Sequence, residues 1–279
     1  MRIDAHAHLW SLARGDYGWL TPALGPIHRD FGPADLEANL ARHALDRAIL
    51  VQAAPTAAET DHLLGIARAH PFVAGVVGWV DLAAPDAADL VRERAREPLL
   101  LGLRPMVQDI ADDDWLAAPR LAPALDAMAD AGLVFDALVL PRHLPRLLVV
   151  AERHPGLRIV VDHLAKPPVK AGQLDPWRAD MAALAARANV SCKLSGLVTE
   201  ARVGWTVGDL APFVTHVLAA FGPGRVLWGS DWPVAILGGG YDAWMAATER
   251  LLAELSSGER EAIMGGTARH VYLGKGRGR

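Results

Sequence analysis

The chain has 279 residues, 52% of them hydrophobic, and a formal net charge of −4. Its single cysteine, Cys192, excludes an intrachain disulfide and a Cys-X-X-Cys metal site. The small negative net charge offers no general attraction to nucleic acid or to an anionic membrane. Neither a signal peptide nor an apolar run long enough to span a bilayer is recognised. We therefore expect a cytoplasmic protein with a small-molecule partner and no nucleic-acid or membrane partner.

Strand-like and helix-like segments alternate along the chain. Short runs rich in β-branched residues are separated by longer runs rich in alanine and leucine. The predicted strands cover residues 2–8, 47–52, 73–80, 99–106, 134–140, 158–164, 189–195 and 225–231. The predicted helices include residues 33–44, 60–70, 87–96, 122–131, 144–154, 177–188 and 210–221.

Eight strand–helix units in a chain of this length predict an α/β fold, a single (β/α)₈ barrel over residues 1–279. The structural alternative is a doubly wound open sheet. Such a sheet usually has a glycine-rich phosphate turn after its first strand, where this chain has His-Ala-His-Leu-Trp. We expect the basic segment 275–279 to be a frayed end.

The first predicted strand carries two histidines at alternate positions, in the stretch Asp4-Ala5-His6-Ala7-His8. Since residues i and i+2 of a strand share a face, we expect Asp4, His6 and His8 to project to one side. Two imidazoles beside a carboxylate can bind a metal ion or hold a water molecule. A pair of half-buried structural histidines is the alternative, so this motif alone decides nothing.

Further polar residues stand where other strands end, and barrel enzymes place their chemistry at those carboxyl ends. Arg104 follows the fourth strand, His163 the sixth, and Asp231 the eighth. Because the eighth strand of a barrel closes against the first, Asp231 is expected beside His6 and His8. Asp162 should face away from His163 and support neighbouring helices or loops.

Three other features bear on substrate binding. The long loop over residues 10–32 is typical of a lid or binding loop, and it supplies Arg29 as a candidate substrate contact. Trp232, next to Asp231, is expected at the wall of the site. Lys193 lies in the seventh strand, and its role is left open.

Several longer motifs occur in order along the chain, among them IDAHAHLW, VVDHLAKP, VSCKLSGL and FGPGRVLWGSDWPV. With these motifs the chain resembles the amidohydrolase superfamily, and specifically its lactonase branch, from end to end. That branch commonly has Gln where this chain has Ala7. The wider superfamily often has a histidine on strand five, where this chain has Asp136, and this difference argues against a binuclear metal centre.

The resemblance implies a hydrolase that opens a sugar-acid lactone, either a 1,4- or a 1,5-aldonolactone. His6, His8, His163 and Asp231 correspond to its catalytic residues, and Arg104 to a substrate contact. We hypothesise that Asp231 takes a proton from water as general base. His163, a bound zinc ion, or both would stabilise the oxyanion.

The metal requirement and the reaction class have alternatives. His6, His8 and Asp231 supply the ligands for one Zn²⁺, but activity without a metal stays open. A metal-dependent decarboxylase of the same superfamily is the first rival, and a pyrone-dicarboxylate lactonase is the second. A barrel that binds a sugar acid without turnover is the non-enzymatic reading.

Overall fold

The structure is a computed structural model that describes residues 1–274. Eight strands form one sheet in the order β1 to β8, and each strand is parallel to the next. The strands are β1 (Ile3–Ala7), β2 (Arg47–Val51), β3 (Val73–Gly78), β4 (Leu100–Leu103), β5 (Val134–Ala137), β6 (Arg158–Val161), β7 (Val190–Leu194) and β8 (Val226–Trp228). The predicted α/β barrel is confirmed. The basic segment 275–279 lies outside the described residues.

Helices follow the strands and cover the outside of the sheet. They are α1 (Pro33–Arg42), α2 (Ala57–Ala69), α3 (Ala87–Arg94), α4 (Ala122–Asp130), α5 (Leu144–Arg153), α6 (Trp177–Ala185), α7 (Leu197–Glu200), α8 (Val207–Phe221), α9 (Gly240–Leu251) and α10 (Ser257–Glu261). Helix α2 begins earlier than predicted because the Thr56 hydroxyl caps it, accepting a hydrogen bond from the backbone N–H of Glu59 at 3.0 Å. No helix within residues 1–274 combines the length and apolarity needed to cross a bilayer.

The barrel closes between β1 and the segment that follows β8. The backbone N–H of Asp231 donates to the carbonyl of His6 at 2.8 Å, and that of His8 donates to the carbonyl of Trp232 at 2.7 Å. Closure therefore uses the residues predicted to carry the chemistry, and it brings the last predicted site residue beside the first two.

Two apolar layers surround the strands. Inside the barrel, alternate strand residues such as Ile49, Val77 and Val160 form one buried cluster. The intervening residues face the helices and form a larger cluster. Tyr272, near the end of the described chain, belongs to the inner cluster. The functional residues lie beyond this inner layer, at the ends of the strands.

Candidate active site

His6 of β1 and His8, which directly follows that strand, lie together inside the barrel, but Asp4 does not join them. The register of β1 against β2 shifts between Asp4 and Ala7, so β1 contains a bulge. The Asp4 carboxylate instead accepts a hydrogen bond of 2.9 Å from the Tyr241 hydroxyl on the outer helix α9. The prediction that Asp4 shares a face with His6 and His8 is wrong, because the bulge interrupts the alternation of side chains.

A backbone hydrogen bond fixes the orientation of the His8 ring, with Nε2 towards the site. Its Nδ1 lies 2.7 Å from the carbonyl oxygen of Val51. A carbonyl can only accept, so His8 Nδ1 carries a proton, and Nε2 is the ring nitrogen that faces the site. That Nε2 lies 3.2 Å from Nε2 of His6 and 3.4 Å from Oδ1 of Asp231.

Both Asp162 and His163 project into the interior. After β6 the backbone turns left-handed, and residues 163–166 all have φ between 50° and 59°. A left-handed residue does not continue the alternation of a strand. The predicted supporting role of Asp162 towards helices or loops is therefore wrong. Its carboxylate lies 2.9 Å from Nζ of Lys193 and 3.4 Å from Nδ1 of His6.

The His163 ring packs against Ser195 and Gly196, which directly follow β7. Its Nδ1 lies 2.9 Å from the Ser195 hydroxyl, and its Nε2 lies 3.9 Å from the Asp231 carboxylate. A Cβ atom on Gly196 would come within 2.5 Å of His163 Nδ1, so only glycine fits there. Burial lowers the pKa of His163 to about 4, so this imidazole is neutral at pH 7.

Asp231 joins the three histidines. Its Oδ1 lies 3.4 Å from His8 Nε2, 3.8 Å from His6 Nε2 and 3.9 Å from His163 Nε2. Burial by itself would raise the pKa of this carboxyl, but the neighbouring His163, His8 and His6 outweigh burial and hold the pKa below its ordinary value. Asp231 is therefore an ionised carboxylate that is only 4% exposed.

A buried charge network lies behind His6. Nζ of Lys193 is 2.7 Å from Oδ2 of Asp136, and the Tyr272 hydroxyl donates to the other oxygen of Asp136 at 2.6 Å. Lys193 also contacts Asp162, so one ammonium bridges two carboxylates. Burial raises the pKa of Asp136 to about 6. The role of Lys193 was not predicted from the sequence, although its position on a strand of the barrel could have indicated a buried charge.

Arg104 lies at the edge of this network and faces the site. One of its terminal nitrogens is 3.3 Å from Nε2 of His6 and 3.5 Å from the Asp162 carboxylate. Gln52 braces it, because the Gln52 amide donates to the Arg104 carbonyl and the guanidinium donates to the Gln52 carbonyl. Arg104 is only 3% exposed, so its charge is held rigidly at the floor of the site.

A cavity of about 230 Å³ opens above these groups. Four predicted site residues line it, namely His8, Arg104, His163 and Asp231. The sequence analysis did not single out the remaining lining residues, which are Trp19, Ala53, Met106, Gln108, Asp109, Leu138, Lys166, Thr199 and Val234. Trp19 belongs to the long loop predicted to cover the site, and that was the signal that could have identified it.

Two predicted substrate contacts lie outside this cavity. The Arg29 guanidinium stacks over the Phe31 ring at 3.7 Å and is exposed to solvent. The Trp232 ring packs against the other side of the loop, edge to face with Phe31 at 5.1 Å. The Arg29–Phe31 contact lies within the loop that carries Trp19, whereas Trp232 contacts that loop from another part of the chain, and neither Arg29 nor Trp232 lines the cavity.

The donor set at the floor of the cavity fits a divalent metal ion. Ligand atoms of His6, His163 and Asp231 lie within 4.8 Å of one another. Nε2 of His8, 3.4 Å from the same carboxylate, adds one more nitrogen that could serve as a ligand. Imidazole nitrogens and one carboxylate oxygen are the ligands that zinc prefers in catalytic sites.

The barrel and this histidine–aspartate cluster together define a hydrolase-like site of the amidohydrolase type. The chain matches the Amidohydrolase family model over residues 3–273, and it belongs to that family. An L-fucono-1,5-lactonase of Burkholderia ambifaria is 49% identical over 275 residues, which is 97% of this chain and 95% of that protein. An L-fucono-1,5-lactonase of Burkholderia multivorans is 38% identical over 286 residues, or 98% and 96% of the two chains. A crystal structure of a Burkholderia multivorans amidohydrolase with bound zinc is also similar, at 38% identity and a TM-score of 0.90, covering 98% of this chain and 99% of that one.

Proposed function

We propose that this protein is a lactonase that hydrolyses the 1,5-lactone of a sugar acid. The observation that carries the proposal is the Asp231 carboxylate, held against three imidazoles at the floor of a cavity lined by hydrogen-bonding side chains. The similarity to two proteins named L-fucono-1,5-lactonase supports the same reaction.

In this proposal Asp231 acts as general base and then as general acid. Its carboxylate accepts a proton from water as the water attacks the lactone carbonyl, and it returns that proton to the departing ring oxygen. Its ionised state suits the first step. The ring bond breaks to give a carboxylic acid and a hydroxyl on the same molecule, so one water molecule is consumed.

His163 and Arg104 stabilise the developing oxyanion. His163 is neutral, so its Nε2 can donate only when Nδ1 accepts the proton of the Ser195 hydroxyl, 2.9 Å away. The Arg104 guanidinium lines the cavity, so its charge can stabilise the oxyanion there.

Of the four possible ligands, His6, His8 and Asp231 would hold one zinc ion in this proposal, and His163 would be left to stabilise the oxyanion. A bound zinc ion would supply Lewis acidity to the carbonyl or to the attacking water. His8 is prepared for this role, because its Nδ1 is committed to the Val51 carbonyl. The cytoplasmic location expected from the sequence stays a prediction.

The cavity favours a neutral lactone over a dicarboxylate. Its cationic side chains are Arg104 and Lys166, and its anionic ones are Asp109 and Asp231. A pyrone dicarboxylate would bring two negative charges beside two carboxylates, at a cost in repulsion. The apolar Trp19 and Leu138 in the same wall suit the C–H face of a sugar ring instead.

The test is a panel of 1,4- and 1,5-aldonolactones, pyrone dicarboxylate and an aromatic carboxylic acid, followed by proton release and by CO₂ release. We expect proton release from 1,5-lactones and no CO₂ from the aromatic acid. CO₂ release without lactone opening would favour the decarboxylase alternative. Tight binding of a lactone that is never opened would favour the non-enzymatic reading.

A further inference from the structure

His6 stands between two groups that can only donate hydrogen bonds. On one side, an Arg104 nitrogen is 3.3 Å from Nε2 of the imidazole. On the other side, the Lys193 ammonium is 3.2 Å from Nδ1. Guanidinium and ammonium groups have no acceptor, and a neutral imidazole has one lone pair. Only one of these two contacts can be a hydrogen bond.

The position of Asp162 indicates which of these two contacts with His6 is the hydrogen bond. Its Oδ1 lies 3.4 Å from Nδ1 of His6, on the same side as Lys193. The Lys193 ammonium already has two closer carboxylate partners, at 2.7 Å to Asp136 and 2.9 Å to Asp162. A proton on Nδ1 would give the Asp162 carboxylate a further hydrogen bond, and all three side chains are fully buried.

The opposite tautomer is less well accommodated. A proton on Nε2 of His6 would point into the region shared by Arg104, whose nearest nitrogen carries protons of its own. It would gain a bond to Nε2 of His8, 3.2 Å away. It would leave the buried Asp162 carboxylate with only Lys193 and Arg104 as partners, one hydrogen bond fewer than when Nδ1 carries the proton.

We infer that Asp162 is a positioning residue that keeps the proton of His6 on Nδ1 and thereby directs the Nε2 lone pair of His6 into the active site. Asp136 and Lys193 hold Asp162 in place from below, and Tyr272 anchors Asp136. The inference assigns a task to a residue outside the proposed set of catalytic groups. Its kinetic test rests on the proposed lactonase activity, whereas its spectroscopic test does not.

The spectroscopic test uses wild-type protein labelled with ¹⁵N-histidine and treated with a chelator, so that no bound cation dictates the tautomer. Long-range ¹H–¹⁵N correlation spectra distinguish a protonated from an unprotonated ring nitrogen. The His6 signals are assigned by their loss in the His6→Asn variant. We expect His6 to carry its proton on Nδ1. A proton on Nε2 would overturn the inference, whatever the activity of the protein.

The kinetic test compares two substitutions that remove the same charge. Asp162→Ala removes the acceptor oxygen, whereas Asp162→Asn keeps an oxygen that can accept from His6 Nδ1. Loss of a group that orients an active-site histidine typically costs about 10–100-fold in activity. We expect kcat of the Ala variant to fall by about that factor with KM within about threefold, and the Asn variant to recover at least part of the loss.

The control is Asp130→Ala, at an exposed position at the end of α4, which should behave as wild type. Equal losses in the Ala and Asn variants would mean that only the buried charge matters, and the positioning role would be refuted. Wild-type protein that opens no lactone would refute the proposed function and leave the tautomer measurement to decide this inference.

Discussion

Replacement of Asp231 by asparagine isolates the charge of the proposed general base. The residue has φ of 56°, in the left-handed region that asparagine tolerates better than most other residues. Its backbone N–H, which donates to the His6 carbonyl at 2.8 Å, is unchanged by the substitution. We therefore expect Asp231→Asn to fold as the wild type does, and to differ mainly in its ability to accept a proton.

The size of the effect follows from the role. General acid–base assistance contributes about 10²–10⁴-fold to rate, which corresponds to about 2.7–5.4 kcal/mol at about 1.36 kcal/mol per tenfold. Asp231 would act twice, on the attacking water and on the leaving oxygen. The amide also cannot compensate the charge of any protonated imidazole around it. We expect kcat to fall by at least about 10²-fold, with a smaller change in KM.

The assay is proton release from a sugar 1,5-lactone, followed with a pH indicator and corrected for spontaneous hydrolysis. Thermal unfolding of the variant, measured beside wild type, checks that the fold is intact. Asp130→Asn, an exposed aspartate on α4, serves as the matched control. A folded Asp231→Asn variant that retains more than about a tenth of wild-type kcat would refute the general-base role.

Four further outcomes are expected. Burial lowers the pKa of His163 to about 4 from its ordinary value of 6.5, so the unfolded chain binds more protons between these two pH values. The Tm should therefore fall as pH falls through that window, and it should fall less in His163→Gln. Gly196→Ala should lower both Tm and kcat, because its Cβ would meet His163. Gly204→Ala, also at positive φ but in open space, should lower Tm through about 1 kcal/mol of backbone strain and leave kcat unchanged. Trp19→Ala should raise KM several-fold while kcat changes little, as steady-state kinetics would reveal. Elemental analysis should find at most one zinc ion per chain, and full activity after exhaustive chelation would mean that the histidines hold water directly.

Much of the barrel could be predicted because each strand is a compact β-branched run between helical periods. Strand β2 begins at Arg47 and β6 begins at Arg158, as the sequence indicates. The predicted ends extend too far, since 158–164 was expected and β6 stops at Val161. Polar residues such as Asp162 leave the ladder in order to form the site, so hydrophobic runs overestimate strand length where function begins.

The site was only partly predictable for a related reason. His6, His8, His163 and Asp231 do converge, because the carboxyl ends of all the strands surround one end of the barrel. The predicted directions of the Asp4 and Asp162 side chains assumed strict alternation along each strand. A bulge in β1 and a left-handed turn after β6 both interrupt that alternation. Trp19 reaches the cavity through a long loop, and loop paths carry no periodic signal.

Close contacts at two glycines divide this enzyme into parts that can and cannot change. A side chain at Gly196 would strike His163, and one at Gly229 would come within 2.6 Å of the Cβ of His6. A substitution at Gly196 or Gly229 is therefore expected to displace one of the active-site histidines. The wall of the cavity instead contains side chains of variable size, such as Met106 and Leu138. Divergence among relatives, and any laboratory selection for new sugar acids, should accordingly proceed through the wall while the reacting groups stay in place.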